Sequence, residues 1–164
     1  MNQAAYAAGQ PIPNIIGMAF SYSMTIAVLY PAFALAVLIF SKSNQLKTVG
    51  KISIAPAFFG ISEPLMFGVP VVMNPFMAIP WIISPTVNVL LGWLACSSGL
   101  VARYAGVTVF NFPMGVTGIL NGSFTIAILE VVVCIIDVLI FMPFVRIQDK
   151  KYIDAEKAAE TEQN

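Results

Sequence analysis

The sequence predicts an all-α integral membrane protein, with about three transmembrane helices and one proline-broken re-entrant hairpin. Three observations predict it. Of 164 residues, 59% are apolar and 10% are charged, against about 25% charged in an ordinary soluble domain. Between Ile52 and Val145 the only charged residues are Glu63, Arg103, Glu130 and Asp137. Three apolar runs are long enough for a helical crossing, which needs about 20 residues.

The first run covers residues 15–40 without a charge, and Pro31 inside it predicts a kink. A basic stretch follows, with Lys42, Lys47 and Lys51. The second run covers 77–101 and the third 124–145. Arg146, Lys150 and Lys151 come next, and residues 148–164 form a polar tail, read as a short helix or a solvated end. Residues 1–147 are thus read as one membrane domain. Lysine and arginine cluster after the first and third runs, which places both clusters and the C-terminus in the cytoplasm and the N-terminus outside. Two cytoplasmic ends require an even number of crossings between them, and 77–101 with 124–145 already supply two. Residues 52–76 must therefore enter and leave on one side. Their composition agrees: six prolines fall between Pro56 and Pro85, with Gly60 and Gly68 among them. Non-helical backbone at membrane depth is tolerated where protein covers it or where it lines a wet cavity, and broken segments of this kind build transporter sites.

Composition excludes several functions. Net charge is zero and the cations form no broad basic field, which disfavours a nucleic-acid partner. Histidine is absent, which removes the usual general base and the commonest metal ligand. Cys96 and Cys134 lie in apolar runs with no disulfide or metal-ligand spacing, as packing residues do. The N-terminus has no charged n-region of a cleaved signal peptide. No phosphate-cradling motif, metal cluster or Ser–His pair is present, so neither a cofactor, a metal nor a self-contained catalytic site is expected.

Glu63 is the sharpest functional candidate. It sits at the expected break, in Gly60-Ile61-Ser62-Glu63-Pro64, and an ionisable side chain in a membrane segment marks a functional site by default. It also fits a helix-capping role, with Pro64 in the first turn, and the two roles are compatible. Asn74, before Pro75, is suited either to a solute hydroxyl or to backbone left open by the prolines. Ser62 offers the same pair of roles. Phe67, Trp81 and Trp93 serve as stacking faces or as packing and interface anchors. Glu130 and Asp137 are seven residues apart and so share a helix face with Cys134 nearby. That face reads as a polar seam turned into a bundle, or as a proton relay. The outer segment 115–122 reads as a flexible connection.

The run from Pro56 to Pro80 carries Ser62-Glu63-Pro64, Phe67-Gly68-Val69-Pro70, Asn74-Pro75 and Ala78-Ile79-Pro80. It resembles the IIC membrane component of the phosphoenolpyruvate-dependent sugar phosphotransferase system (PTS), in the lactose, cellobiose and diacetylchitobiose group. Lys42–Leu46 and Phe141–Lys150 resemble the family's basic linker and closing stretch. The resemblance implies a sugar permease of the bacterial inner membrane, working with IIA and IIB, for a β-linked disaccharide. It implies a homodimer in the full-length family, and gives Glu63 a place in the sugar site. The sugar would be phosphorylated by phosphocysteine on IIB while still held. Ser62 stands where the family commonly has asparagine, and Phe110-Asn111-Phe112-Pro113 replaces its usual Pro-Trp-rich stretch. The chain matches only the C-terminal part of the family, so a complementary N-terminal half, which carries a sugar-site histidine, is an implied partner. Two other readings compete: a non-transporting membrane interaction protein or truncated remnant, and an ion-coupled transporter using Glu63, Glu130 and Asp137.

Overall fold

The computed structural model describes residues 1–72 and 74–162, and all regular structure among them is helical. Met73, in the motif run, and Gln163 and Asn164, in the tail, lie outside the described residues. Three segments are long and apolar enough to cross a membrane: Met18–Phe40, Pro75–Ser97 and Phe124–Thr161. They match the three expected runs. The second begins two residues early and ends four early; the third continues well past Val145.

After a short N-terminal helix, α1 (Asn2–Ala7), the first crossing is built from α2 (Met18–Tyr22), a π turn (Ser23–Ala27) and α3 (Leu29–Phe40). The expected irregularity is real, but it sits just before Pro31. The Val28 N–H reaches back to the Ser23 carbonyl at 3.3 Å, a five-residue step that widens the helix. Pro31 then occupies the first turn of α3, where a missing N–H costs little.

Helix α4 (Asn44–Phe58) runs back along α3. It joins the basic stretch to the first limb of the hairpin, so this limb begins at Asn44, eight residues before the expected 52. Ser43 supplies the reason: its extended backbone caps the helix, and its hydroxyl accepts the Leu46 N–H. The buried positions Leu46, Gly50, Ser53 and Ala57 form one stripe. Gly50 lets the two helices approach closely, since a Cβ there would lie 3.1 Å from the Leu38 backbone.

Helix α5 (Glu63–Gly68) returns antiparallel to α4, with Gly68 against Val49. Asn74 then starts α6 (Pro75–Ser97), which runs unbroken through Pro80 and Pro85. The dense prolines therefore break the chain only as far as residue 74. A loop carries α7 (Val116–Leu120), and α8 (Phe124–Glu162) closes the bundle. At 1.5 Å per residue, 39 residues make α8 about 58 Å long, far more than the ~30 Å hydrocarbon core.

Two packed clusters hold the bundle. One joins Phe33, Leu46, Leu65, Met77 and Phe141, across α3, α4, α5, α6 and α8. Trp81 packs into it beside Tyr30, Phe33 and Phe141. The other gathers Phe20, Met24, Tyr104, Ile126 and both cysteines, which are free and buried. Two ends can be distinguished. At the basic end lie Lys42, Arg146 and the start of α4; at the loop end, α1 folds against residues 102–122. There Arg103 donates to the carbonyls of Ile12 and Pro13, and Gln3 donates to that of Gly106.

Candidate functional site

The turn that reverses the hairpin is a helix C-cap of specific chemistry. Gly60 adopts φ +75°, its N–H bonds the Ala57 carbonyl, and the Ile61 N–H bonds the Pro56 carbonyl. This pairing needs a left-handed residue after the last helical turn, which glycine supplies without strain. A Cβ at Gly60 would also meet the Tyr22 hydroxyl at 3.0 Å. The tip of the hairpin is thus seated against the π-turn region of the first crossing.

Glu63 opens α5 directly after this turn, with Pro64 beside it. Its side chain is exposed, with no hydrogen bond or ion pair among the described residues. Ser62 is half-buried; its carbonyl accepts the Leu65 and Met66 N–H groups, and its hydroxyl makes no cap. Tyr22, Phe110 and Asn111 flank the tip. The Tyr22 hydroxyl accepts the Asn111 N–H at 3.0 Å, and its ring meets that of Phe110 edge to face at 5.1 Å. Tyr22 reads in the sequence as one more residue of an apolar run, and its place beside the hairpin comes only from the fold.

Asn74 is placed differently. Its Oδ1 accepts the Phe76 and Met77 N–H groups, and its Nδ2 donates to Gln148 on α8 at 3.1 Å. Helix α5 lies between Glu63 and Asn74 along the chain, and no hydrogen bond joins the two side chains among the described residues. Phe67 is 76% exposed on α5 and Trp93 is 44% exposed on α6, whereas Trp81 is part of the core.

Glu130 and Asp137 both point into the bundle and are fully buried. Glu130 is saturated: Oε1 accepts the Ser23 and Thr117 hydroxyls at 2.6 and 2.7 Å, and Oε2 accepts the Gly115 N–H at 2.6 Å. The Tyr104 hydroxyl lies 3.0 Å from Ser23 Oγ. Since Ser23 gives its hydrogen to Glu130, Tyr104 is the donor to Ser23. Burial pushes the Tyr104 phenol above its usual range and keeps that hydrogen in place. Asp137 has a sparser shell, with one bond from Asn88 to Oδ2 at 2.7 Å. Its Oδ1 and the Asn88 Oδ1 are buried without a partner. The segment 115–122, expected as a flexible connection, is instead held by Glu130 and by Asn121, whose Oδ1 accepts the Gly106 and Val107 N–H groups. No group of three or more His, Cys, Asp or Glu side chains able to hold a metal occurs among the described residues.

The hairpin presents one carboxylate without a partner among the described residues, just after a glycine-capped turn flanked by the Tyr22 hydroxyl and the Phe110 ring. A carboxylate accepts hydrogen bonds only, and it suits a ligand rich in hydroxyls. Residues 1–85, which include this hairpin, match the family model described as "Phosphotransferase system, EIIC". The chain belongs to that family. The EIIC relatives include the oligo-beta-mannoside-specific EIIC component of Bacillus subtilis (strain 168), 37% identical over 95% of this chain and 37% of the relative. The cellobiose-specific EIIC component of Geobacillus stearothermophilus is 40% identical over 79% of this chain and 30% of its own. Among solved EIIC structures, the transporter ChbC, the IIC component of the N,N'-diacetylchitobiose-specific system, superposes with a TM-score of 0.89. It shares 36% identity, over 95% of this chain and 38% of ChbC. The chain thus spans less than two fifths of the length of these relatives.

Proposed function

We propose that this chain forms the sugar-binding part of a PTS permease that takes up a β-linked disaccharide and presents it to IIB for phosphorylation. The observation that carries the reading is Glu63, exposed at the tip of the hairpin with no hydrogen bond or ion pair among the described residues. The relatives' substrates, oligo-β-mannosides, cellobiose and diacetylchitobiose, are all β-linked sugars, and related lactose permeases carry IIC and IIB together as EIICB components. Glu63 accepts hydrogen bonds from sugar hydroxyls, Ser62 adds a short hydroxyl beside it, and Asn74 holds the return limb of the hairpin in place. The remaining part of the family's length completes the site and the dimer, and Glu130 and Asp137 brace the bundle behind it. The protein sits in the bacterial inner membrane with its basic end and C-terminus in the cytoplasm and its N-terminus outside, an orientation that the clustered lysines and arginines support.

The test is a chimera in which residues 1–164 replace the matching segment of the oligo-β-mannoside relative. It should support phosphoenolpyruvate-dependent uptake of cellobiose or a β-mannoside. Glu63→Gln should lower sugar affinity about 10- to 100-fold, the worth of a hydrogen bond to a charged group, with its melting temperature unchanged. Equal affinity and uptake for the two forms would remove Glu63 from the site.

A further inference from the structure

At the basic end, a cleft of about 530 Å³ opens between the end of α3 and one side of α8. Its walls combine two chemistries. Lys42, Arg146 and Lys150 bring three cations, while Ile39, Phe40 and Ile153 are apolar. The α8 residues recur at 146, 150 and 153, which is one helical face. The Arg146 guanidinium lies over the Phe40 ring, 5.2 Å from its centre. That contact engages the planar face and leaves the N–H edge free to donate.

Asp149 is the one carboxylate in the cleft, and its oxygens are already taken. Oδ2 accepts the Lys42 N–H at 2.7 Å, and Oδ1 accepts the Ser43 N–H and hydroxyl at 3.0 and 2.6 Å. Lys42, Arg146 and Lys150 make no ion pair among the described residues. Three positive charges against one negative leave the cleft with a surplus of two.

Depth decides what such a cleft holds. Phe40 ends the first apolar span, and Val145 ends the apolar run of α8, with Arg146 next. The cations therefore stand at headgroup level, and Ile39, 59% exposed, faces the acyl region just beyond them. A soluble anion would use the cations and leave the apolar wall bare. An amphiphile with an anionic head uses both, as basic pockets between membrane helices do.

We propose that this cleft binds an anionic phospholipid, its phosphate among Lys42, Arg146 and Lys150 and an acyl chain over Ile39. The bound lipid reinforces the Asp149 latch between α8 and the start of α4, and so steadies the hairpin limb that leads to the turn before Glu63.

The experiment titrates the purified chain in detergent with short-chain phosphatidylglycerol or phosphatidylcholine and counts retained lipid by native mass spectrometry. Phosphatidylglycerol should be retained and phosphatidylcholine not. Lys42→Gln with Lys150→Gln should weaken phosphatidylglycerol binding about 25-fold, at about fivefold per lysine. Lys51→Gln with Lys157→Gln, exposed lysines outside the cleft, should change it less than about twofold on the same basis. Equal retention of the two lipids, or equal loss in the two double variants, would overturn the proposal. Displacement of phosphatidylglycerol by inorganic phosphate at the same concentration would assign the cleft to a soluble anion instead.

Discussion

The Asn88 side chain bridges two helices by giving both its amide hydrogens away, one to Asp137 Oδ2 at 2.7 Å and one to the Met24 carbonyl at 3.0 Å. This joins α6 to α8 and to the π turn of the first crossing in the middle of the bundle. No lysine or arginine lies on the apolar stretches around it. The Asn88 amide thus makes the short hydrogen bond to Asp137, with the Ser84 side chain, one turn earlier on α6, also near the carboxylate. Leaving a buried acceptor without its donor costs about 1–3 kcal/mol, and more where the acceptor is charged. Asn88→Leu should therefore lower the melting temperature in detergent sharply. Asp137→Asn keeps an acceptor for Asn88 without the charge, and should stay within about 1 kcal/mol of the wild type. An Asn88→Leu protein as stable as the parent would show that the bridge carries no weight.

Glu130 makes the opposite case, because each of its bonds is a donor pointed at an oxygen. With the Glu130→Gln oxygen on the Gly115 N–H, its NH2 replaces the oxygen that accepted the Ser23 and Thr117 hydroxyl hydrogens, and the reverse orientation sets NH2 against the Gly115 N–H. A buried donor left without its acceptor costs about 1–3 kcal/mol. The loss should be local, loosening residues 98–123 before the membrane helices melt. Limited proteolysis reads this directly: the variant should be cut in that segment at protease concentrations that leave the parent whole, and an unchanged pattern would contradict the role given to Glu130.

The contrast between these two carboxylates marks how far the sequence could be read. Three apolar runs, a proline-dense stretch that enters and leaves on one side, and the inward face shared by Glu130 and Asp137 were all legible, because each follows from hydropathy, helical period or the cost of burying charge. The start of the hairpin limb was not, because Lys47 and Lys51 read as a polar linker although they form the outer face of α4. The order in segment 115–122 was hidden for another reason: its glycines and threonine signal flexibility until Glu130 and Asn121 are seen to bind them. At the candidate site, Glu63 stood out as a charge inside a membrane segment. Tyr22 and Asn111 could not, since a tyrosine in an apolar run and an asparagine in a loop are ordinary, and only folding brings them to the hairpin tip.

Close backbone approach predicts a further weakness at Gly118. A Cβ added there would lie 2.5 Å from the Ala127 nitrogen and 2.9 Å from the Ala127 Cα. Both are backbone atoms of α8 and cannot rotate away. Gly118→Ala should force α7 off α8 at a cost of about 1–3 kcal/mol, drawing Thr117 away from Glu130. Gly9→Ala, by comparison, meets open space although its φ is +65°, and should cost only about 1 kcal/mol of local backbone strain. Thermal unfolding of the two variants should rank Gly118→Ala as the less stable, and the reverse order would contradict the close approach.

Asn74 allows capping to be separated from sugar contact. Its Oδ1 holds the first N–H groups of α6, and its Nδ2 reaches Gln148. Asn74→Ala removes both and should cost about 1–2 kcal/mol. Asn74→Asp keeps the cap, since aspartate is as good an N-cap residue, but loses the donor to Gln148. A double-mutant cycle between Asn74→Ala and Gln148→Ala should return a coupling of about 0.5–1.5 kcal/mol. If Asn74 acts by fixing the return limb of the hairpin, sugar affinity in the chimera should fall in step with stability across Asn74→Ala, Asn74→Asp and Gln148→Ala. A drop of 10-fold or more in affinity for Asn74→Asp with full stability would instead place its amide on a sugar hydroxyl, since a lost hydrogen bond at a binding site is worth about that factor.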